Sequence, residues 1–230
     1  MWPTDQSALQ QVQQELAEAV PEPWTPGHQR LLVGGCWVCF PRGLTGPGGA
    51  GDPAWTAAVL MRGATVLEER VTRGAASAAY VPGLLALRMG EVMERAVRAL
   101  DTAPDVLLLD ATGRDHPSRA GLAVHLGAVL DLPTIGVTHR PLLAEGAWPD
   151  DERGASAPLR IDGTTVGCWL RTRPGVRPLV VHPGWRVDLD TAVDVVLRST
   201  TRRRTPEPLR QARHRARRAR AGTGLGRRAR

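Results

Sequence analysis

Residues 105–137, DVLLLDATGRDHPSRAGLAVHLGAVLDLPTIGV, limit what this chain can fold into more than any other stretch. Residues 106–109 are wholly apolar, too few for a helix, and bounded by Pro104 on one side and Thr112-Gly113 on the other. That pattern predicts a strand covered on both faces. A glycine turn, a helix and a second buried strand ending at Val137 follow, so the stretch is a β-α-β unit and the fold class is α/β. Asp110 stands at the carboxyl end of the first strand. Open α/β sheets bind ligands at that edge, which makes its carboxylate a candidate site residue; a turn or helix-capping aspartate accounts for the spacing equally well.

The rest of the chain supplies the remaining layers. Residues 4–20 place Leu9, Val12, Leu16 and Ala19 on one helical face, ended by Pro21. Residues 31–40, LLVGGCWVCF, predict a strand in which Gly34-Gly35 marks either a bulge or a close approach of another backbone. Residues 41–53 contain five glycines and three prolines, which predicts a mobile loop. The apolar runs 55–62 and 64–72 around Arg62-Gly63 form a hairpin beside the first strand. A helix opening at Pro82 and running through Leu100 has Leu84, Leu87, Val92, Ala96 and Leu100 as its inner stripe, with Gly90 weakening its middle. Residues 139–156 are irregular, residues 166–171 and 176–182 pair as strands across Pro174-Gly175, and a last helix spans 189–197.

Charge divides the chain. It carries 30 Lys+Arg against 23 Asp+Glu, and every cation is arginine, which points to a GC-rich coding sequence before it points to function. From Arg202 onward there are 12 arginines and one acid, leaving 18 arginines against 22 acids before it. Residues 1–214 are therefore expected to form one domain and residues 215–230 a disordered, arginine-rich tail attracted to phosphate. No apolar run approaches the ~18 residues of a membrane span, and no signal-peptide pattern opens the chain, so a cytoplasmic protein is expected. Cys36-x-x-Cys39 has no second half and sits among apolar neighbours. Two buried small side chains are a better reading than a metal or redox pair.

Many positions in one register resemble a known family. Asp110, Gly113, His116-Pro117, Arg119, Gly121-Leu122-Ala123, His125-Leu126-Gly127 and residues 131–137 are similar to the central signature of endonuclease V, the nuclease that nicks nucleic acid near deaminated adenine (inosine). The similarity extends upstream to residues 80–85, YVPGLL, and downstream to Arg171-Thr-Arg173, Pro183-Gly184 and Pro206-Glu-Pro208, covering residues 5–214. It implies an RNase H-like mixed sheet with helices on both faces, DNA or RNA as partner, Mg²⁺ as cofactor, and a monomer. It also implies that Tyr80 and Pro82 wedge into the strand at the lesion while Gly83, Leu85, Gly113, Gly121 and Leu122 shape a pocket for the extruded base. His116 and Arg119 are implied to contact nucleic acid. The physics agrees: an aromatic ring replaces lost stacking, and glycines let backbone amides approach a base edge. Ala111 and Arg114-Asp115 depart from the family pattern around this pocket.

The chemistry fares worse. Phosphodiester hydrolysis of this type needs several carboxylates around one or two Mg²⁺ ions. By resemblance these come from the first strand, from the helix after the Tyr-x-Pro-Gly loop, and from Asp110. Trp37 stands at the first position and Met89 at the second; Trp185 replaces a family His after Pro-Gly, and His139 a family Lys after Gly-Val-x. One carboxylate does not make a catalytic Mg²⁺ site. The expected function is therefore recognition of deaminated, inosine-containing DNA or RNA, with metal-dependent cleavage lost or very weak. The alternative is an active Mg²⁺-dependent deoxyinosine 3′ endonuclease with a rearranged metal site; Asp110, Asp115, His116, His139 and His182 offer mixed N/O ligands suited to Zn²⁺ or Mn²⁺. A third reading is an interaction surface on which Trp37, Met89 and Trp185 form an apolar patch.

Overall fold

Val106, Leu107, Leu108 and Leu109 are all fully buried, which requires a strand with neighbours on both edges and helices on both faces. The computed structural model, which describes residues 2–27, 31–43 and 46–225, provides that surrounding. In chain order the elements are α1 (Gln6–Glu18), β1 (Leu32–Cys39), β2 (Pro53–Arg62), β3 (Thr65–Ala75), α2 (Leu85–Arg98), β4 (Val106–Leu109), α3 (Leu122–Leu130) and β5 (Thr134–Thr138). They continue with β6 (Ser156–Ile161), β7 (Thr164–Leu170), β8 (Leu179–Pro183), α4 (Leu189–Arg198) and α5 (Glu207–Leu225). The strands form one mixed sheet in the order β3-β2-β1-β4-β5-β8-β7-β6. β1, β4 and β5 run parallel, and the other pairings are antiparallel.

Side-chain alternation divides the core between the two faces of this sheet. Cys36, Leu107 and Leu109 pack with Leu9, Met93, Ala96 and Leu126 under α1, α2 and α3. Val33, Val106, Leu108, Ile135 and Val181 pack with Val195, Val196 and Leu209 under α4 and α5. Cys36 and Cys39, three residues apart on a strand, therefore face opposite sides; Cys36 joins the first cluster and Cys39 a separate one with Ala57 and Ala216. Burial pushes the Cys36 thiol up to about 12, so it acts as a small apolar residue. No helix among the described residues is long and apolar enough to cross a membrane.

Two glycines are explained by close approach. A Cβ on Gly35 would lie 2.4 Å from the Pro208 carbonyl carbon, so the second alternative for Gly34-Gly35 holds: β1 runs in unbroken register and α5 crosses directly over it. A Cβ on Gly90 would meet the Trp2 ring at 2.2 Å, so the glycine inside α2 is a seat for an aromatic side chain. Elsewhere the structure differs from expectation. α2 starts at Leu85 because Gly83, at φ +81°, closes a turn in which Leu84 N–H donates to the Val81 carbonyl. β6 was hidden as an edge strand whose short, half-exposed pattern carries little apolar signal.

The largest correction concerns the C-terminal segment. Residues 215–225 are not a disordered tail but the second half of α5, while residues 226–230 lie outside the described residues. Leu209, Ala212 and Ala216 are buried at helical spacing against β1 and β2, and Arg215 pairs with Glu69 of β3. Arginine favours helix nearly as well as leucine does, so a run of Arg and Ala that finds one small apolar stripe folds once a sheet face covers it. The glycine-rich loop is likewise tied down over residues 46–52. Buried Arg88 donates to the Gly49 and Ala78 carbonyls, both at 2.8 Å, and pairs with Asp52 at 2.7 Å.

Candidate nucleic-acid interface and altered carboxylate site

The carboxyl ends of β1, β4 and β5 form one edge. Cys36 registers with Leu109, which brings Trp37 of β1 beside Asp110, and Leu109 registers with Gly136, which brings His139 to the same edge just after β5. β8 runs antiparallel to β5 with Thr138 opposite Val180, so Arg177, two residues before β8, comes to the same edge, and its charge acts on His139. α5 then lays the Arg213 guanidinium over the Trp37 ring, 5.2 Å from its centroid. Asp110 is half-buried here. Burial pushes its carboxyl up to about 6, with the Arg213 charge acting in the opposite direction. Burial, followed by Arg204, Arg213 and Arg177, holds His139 below its ordinary value, so the exposed imidazole is neutral at pH 7.

Met89 lies on α2 and packs against the cluster that contains Leu109 and Ala111, the chain neighbours of Asp110. One sequence-derived site position falls elsewhere. Trp185 lies at the far edge: its N–H donates to the Thr134 hydroxyl at the amino end of β5, and its Cβ faces Gly127 of α3. Since Pro183 already pairs with Ile135 near the start of β5, continuing β8 carries Trp185 away from Asp110. Trp185 is therefore no member of a carboxylate site, and Trp37, Met89 and Trp185 form no common apolar patch.

Mg²⁺ needs several oxygen ligands in near-octahedral array. At this edge Asp110 is met by an indole and a guanidinium, and among the described residues no group of three His, Cys, Asp or Glu side chains is placed to share an ion. The donor set does not fit the metal. The other candidate ligands are engaged in structural bonds. Asp115 is fully buried and accepts the backbone N–H groups of Leu142, Leu143 and Ala144 at 2.7, 2.8 and 2.9 Å. His116 Nδ1 accepts the Ser118 N–H, so its Nε2 carries the proton and donates to the Gly83 carbonyl at 2.9 Å. His182 is pushed down to about 4 by burial, and its Nε2 meets the Thr138 hydroxyl at 3.0 Å.

These bonds frame a pocket a short distance along the chain from Asp110. A cavity of about 90 Å³ is lined by Tyr80, Pro82, Gly83, Leu85, His116 and Leu122, all expected, together with Gln13 and Leu142, which were not. His116 pins Gly83, Arg88 pins the carbonyl of Ala78, and Tyr80 N–H donates to the Gly48 carbonyl at 3.0 Å, so the Tyr80 loop is held at three points. Asp115 holds Leu142 on the facing wall. Tyr80, Val81, Leu142 and Leu143 leave large apolar side chains exposed there. Gln13 donates from Nε2 to the Ala120 carbonyl, which fixes its amide and leaves Oε1 a buried acceptor with no partner.

Gly113, Gly121 and Arg119 lie outside that lining. A Cβ on Gly113 would be 2.2 Å from the Pro183 carbonyl oxygen and one on Gly121 would be 2.5 Å from that of Thr112, so both glycines admit backbone crossings that shape the loop before α3. Arg119, at φ +53°, pairs with Asp162 at 3.1 Å. Arg114 donates to the carbonyls of Ala17 and Ala19 at the end of α1, so the departures at Arg114 and Asp115 are structural supports. The charged residues at the Asp110 edge that the sequence did not single out are Arg177, Arg204 and Arg213. The 3–4 spacing of Leu209, Ala212 and Ala216 behind Pro206-Glu-Pro208 was the available signal for the helix that carries Arg213.

Comparison with known proteins gives this geometry a family. Residues 14–214 match the endonuclease V family profile. Endonuclease V of Roseiflexus sp. (strain RS-1) is 38% identical over 213 residues, 92% of this chain and 91% of that protein. Endonuclease V of Nocardia farcinica is 46% identical over 174 residues, 74% of this chain and 76% of that one. The crystal structure of endonuclease V from Streptomyces avermitilis has a TM-score of 0.87 at 36% identity, covering 97% of this chain and 96% of that chain. The fold is RNase H-like, a mixed sheet with helices on both faces and its site at the edge where the parallel strands end. The chain belongs to the endonuclease V family.

Proposed function

We propose that this chain recognises inosine-containing DNA or RNA through the pocket between Tyr80 and Leu142 and does not cleave it by the family's metal-dependent route. The observation that carries the reading is the pairing of Trp37 and Arg213 at Asp110, an aromatic ring and a fixed cation at the edge where hydrolysis needs carboxylates and a metal. The pocket supports the binding half of the reading. Its walls are held by hydrogen bonds from Asp115 and His116, which suits a site that must be formed before an extruded base arrives. The neighbouring aromatic Tyr80 is 40% exposed and offers a face for stacking.

A cleavage and gel-shift assay on inosine-containing and control oligonucleotides, with Mg²⁺, with Mn²⁺ and with EDTA, tests both halves. Retention of the inosine strand without a product in any condition is expected. Metal-dependent nicking that disappears in Asp110→Ala would establish an active nuclease, and equal retention of both strands would remove the inosine pocket.

A further inference from the structure

We propose that the sheet edge where the family holds its metal is, in this chain, a metal-independent phosphate site: Arg177, Arg204 and Arg213 take a phosphodiester of the nucleic-acid strand, and Arg217 and Arg220 extend the binding surface along α5. The inference rests on the nucleic-acid reading above and names the chemical group that this edge binds.

Geometry brings the three arginines together from different elements. β8 pairs with β5 so that Arg177 faces the edge; Arg204 donates to the Pro178 carbonyl next to it at 2.8 Å; and α5 sets Arg213 over Trp37. The Nε atoms of Arg204 and Arg213 are both buried without a hydrogen-bond partner, although each is an obligatory donor. Positions 213, 217 and 220 recur at helical spacing and so share one face of α5. Arg217 and Arg220 line a cleft of about 510 Å³ with Arg42 and Trp55.

Charge pairing separates this ridge from the rest of the helix. Arg210 pairs with Glu207 and Arg215 with Glu69, whereas among the described residues Arg177, Arg204, Arg213, Arg217 and Arg220 have no carboxylate oxygen within 4.0 Å. Like charges therefore crowd. Burial and then Arg177 hold Arg204 below its ordinary value, and burial and then Arg213, Arg220 and Arg42 do the same to Arg217. An anion with several acceptor oxygens would relieve both the crowding and the unpaired donors. The planar guanidinium fork matches phosphate oxygens in pairs, which an indole or a thioether does not. Where a metal ion would neutralise a phosphate between carboxylates, fixed guanidinium groups do so without one.

The test is the salt dependence of binding, read by fluorescence anisotropy on a labelled single strand with and without inosine, in EDTA and again in Mg²⁺. Removing one arginine that neutralises a phosphate flattens the slope of log K against log salt by about 0.7 on a single strand. Arg213→Gln should flatten it by about 0.7, and Arg217→Gln with Arg220→Gln by about 1.4. Arg198→Gln, which removes a cation paired with Asp194 on α4, should keep the wild-type slope. Should Arg213→Gln not fold, the double variant on the outer half of α5 carries the same reading. Unchanged slopes in both, or binding that requires Mg²⁺, would each overturn the proposal. The ratio of inosine to adenine affinity reports on the pocket alone, so a ratio of one with the expected slopes removes that reading and leaves this one standing.

Discussion

The Tyr80 pocket and the carboxylate edge are neighbours built from the same βα connections, yet six of the nine residues expected at the one line it, while the other keeps a single acid, Asp110. At the pocket, Tyr80, Pro82, Gly83, Leu85, His116 and Leu122 converge, and the residues that depart from the family, Arg114 and Asp115, are absorbed as hydrogen-bonding supports. At the edge, Asp110 has an indole and a guanidinium as neighbours where a metal site needs further carboxylates. The difference shows how binding and hydrolysis separate physically. A pocket depends on backbone shape and a few hydrogen bonds, which tolerate changes around them, whereas a hard-metal site depends on ligand count and fails when ligands are removed.

The comparison breaks most visibly if the edge can be made catalytic. Restoring ligands by Trp37→Asp with Met89→Glu, together with Arg213→Gln to remove the competing cation, should raise Mg²⁺-dependent nicking of inosine strands by about 10³-fold or more above wild type. Changing large side chains next to the core has its own cost in stability, so the variant's unfolding transition is to be measured first. A wild type that already nicks at a metal-dependent rate would collapse the contrast between the two regions.

The pocket side is tested by its supports. Asp115→Ala leaves the N–H groups of residues 142–144, of which only that of Ala144 is buried, without their acceptor, and a stability loss of about 1–3 kcal/mol is expected in chemical denaturation, with weaker preference for inosine as Leu142 loosens. An unchanged denaturation midpoint would mean that water replaces the carboxylate and the wall is not preorganised. Tyr80→Ala should weaken inosine-strand binding by about 1–3 kcal/mol and leave plain duplex almost unaffected, since stacking is gained only where a base leaves the helix. Equal weakening on both would make the tyrosine a general binding residue.

The smallest effect sharpens the edge itself. The ordinary value for the Asp110 carboxyl is 3.8 and its folded value about 6, so the native protein takes up this proton first as pH falls. Its burial penalty is absent below about pH 4 and fully present above about pH 6. Asp110→Asn should therefore stabilise the fold above pH 6 by on the order of 2 kcal/mol, less whatever Arg213 contributes as its partner, and the gain should vanish towards pH 4. A gain that is independent of pH would come from packing instead of charge.

Local pattern carried much of this molecule. The buried run 106–109, the hairpin of β2 and β3 and the helices α1, α3 and α4 follow from hydrophobic period, turn chemistry and short-range motif, which the chain expresses over a few residues at a time. The loss of carboxylates at Trp37 and Met89 was legible for the same reason. What only the tertiary structure decided is where distant segments meet. Trp185, expected at the site, was carried to the far edge by the antiparallel run of β8, and a polar C-terminal run expected to be disordered became a helix once the face of β1, cleared by Gly35, gave its three apolar side chains somewhere to pack. Arg213 reaches Asp110 across a separation of more than one hundred residues because that packing puts α5 over β1 beside β4. No local signal encodes such a meeting, since the free energy that selects it comes from burying surfaces that do not exist until the sheet has formed.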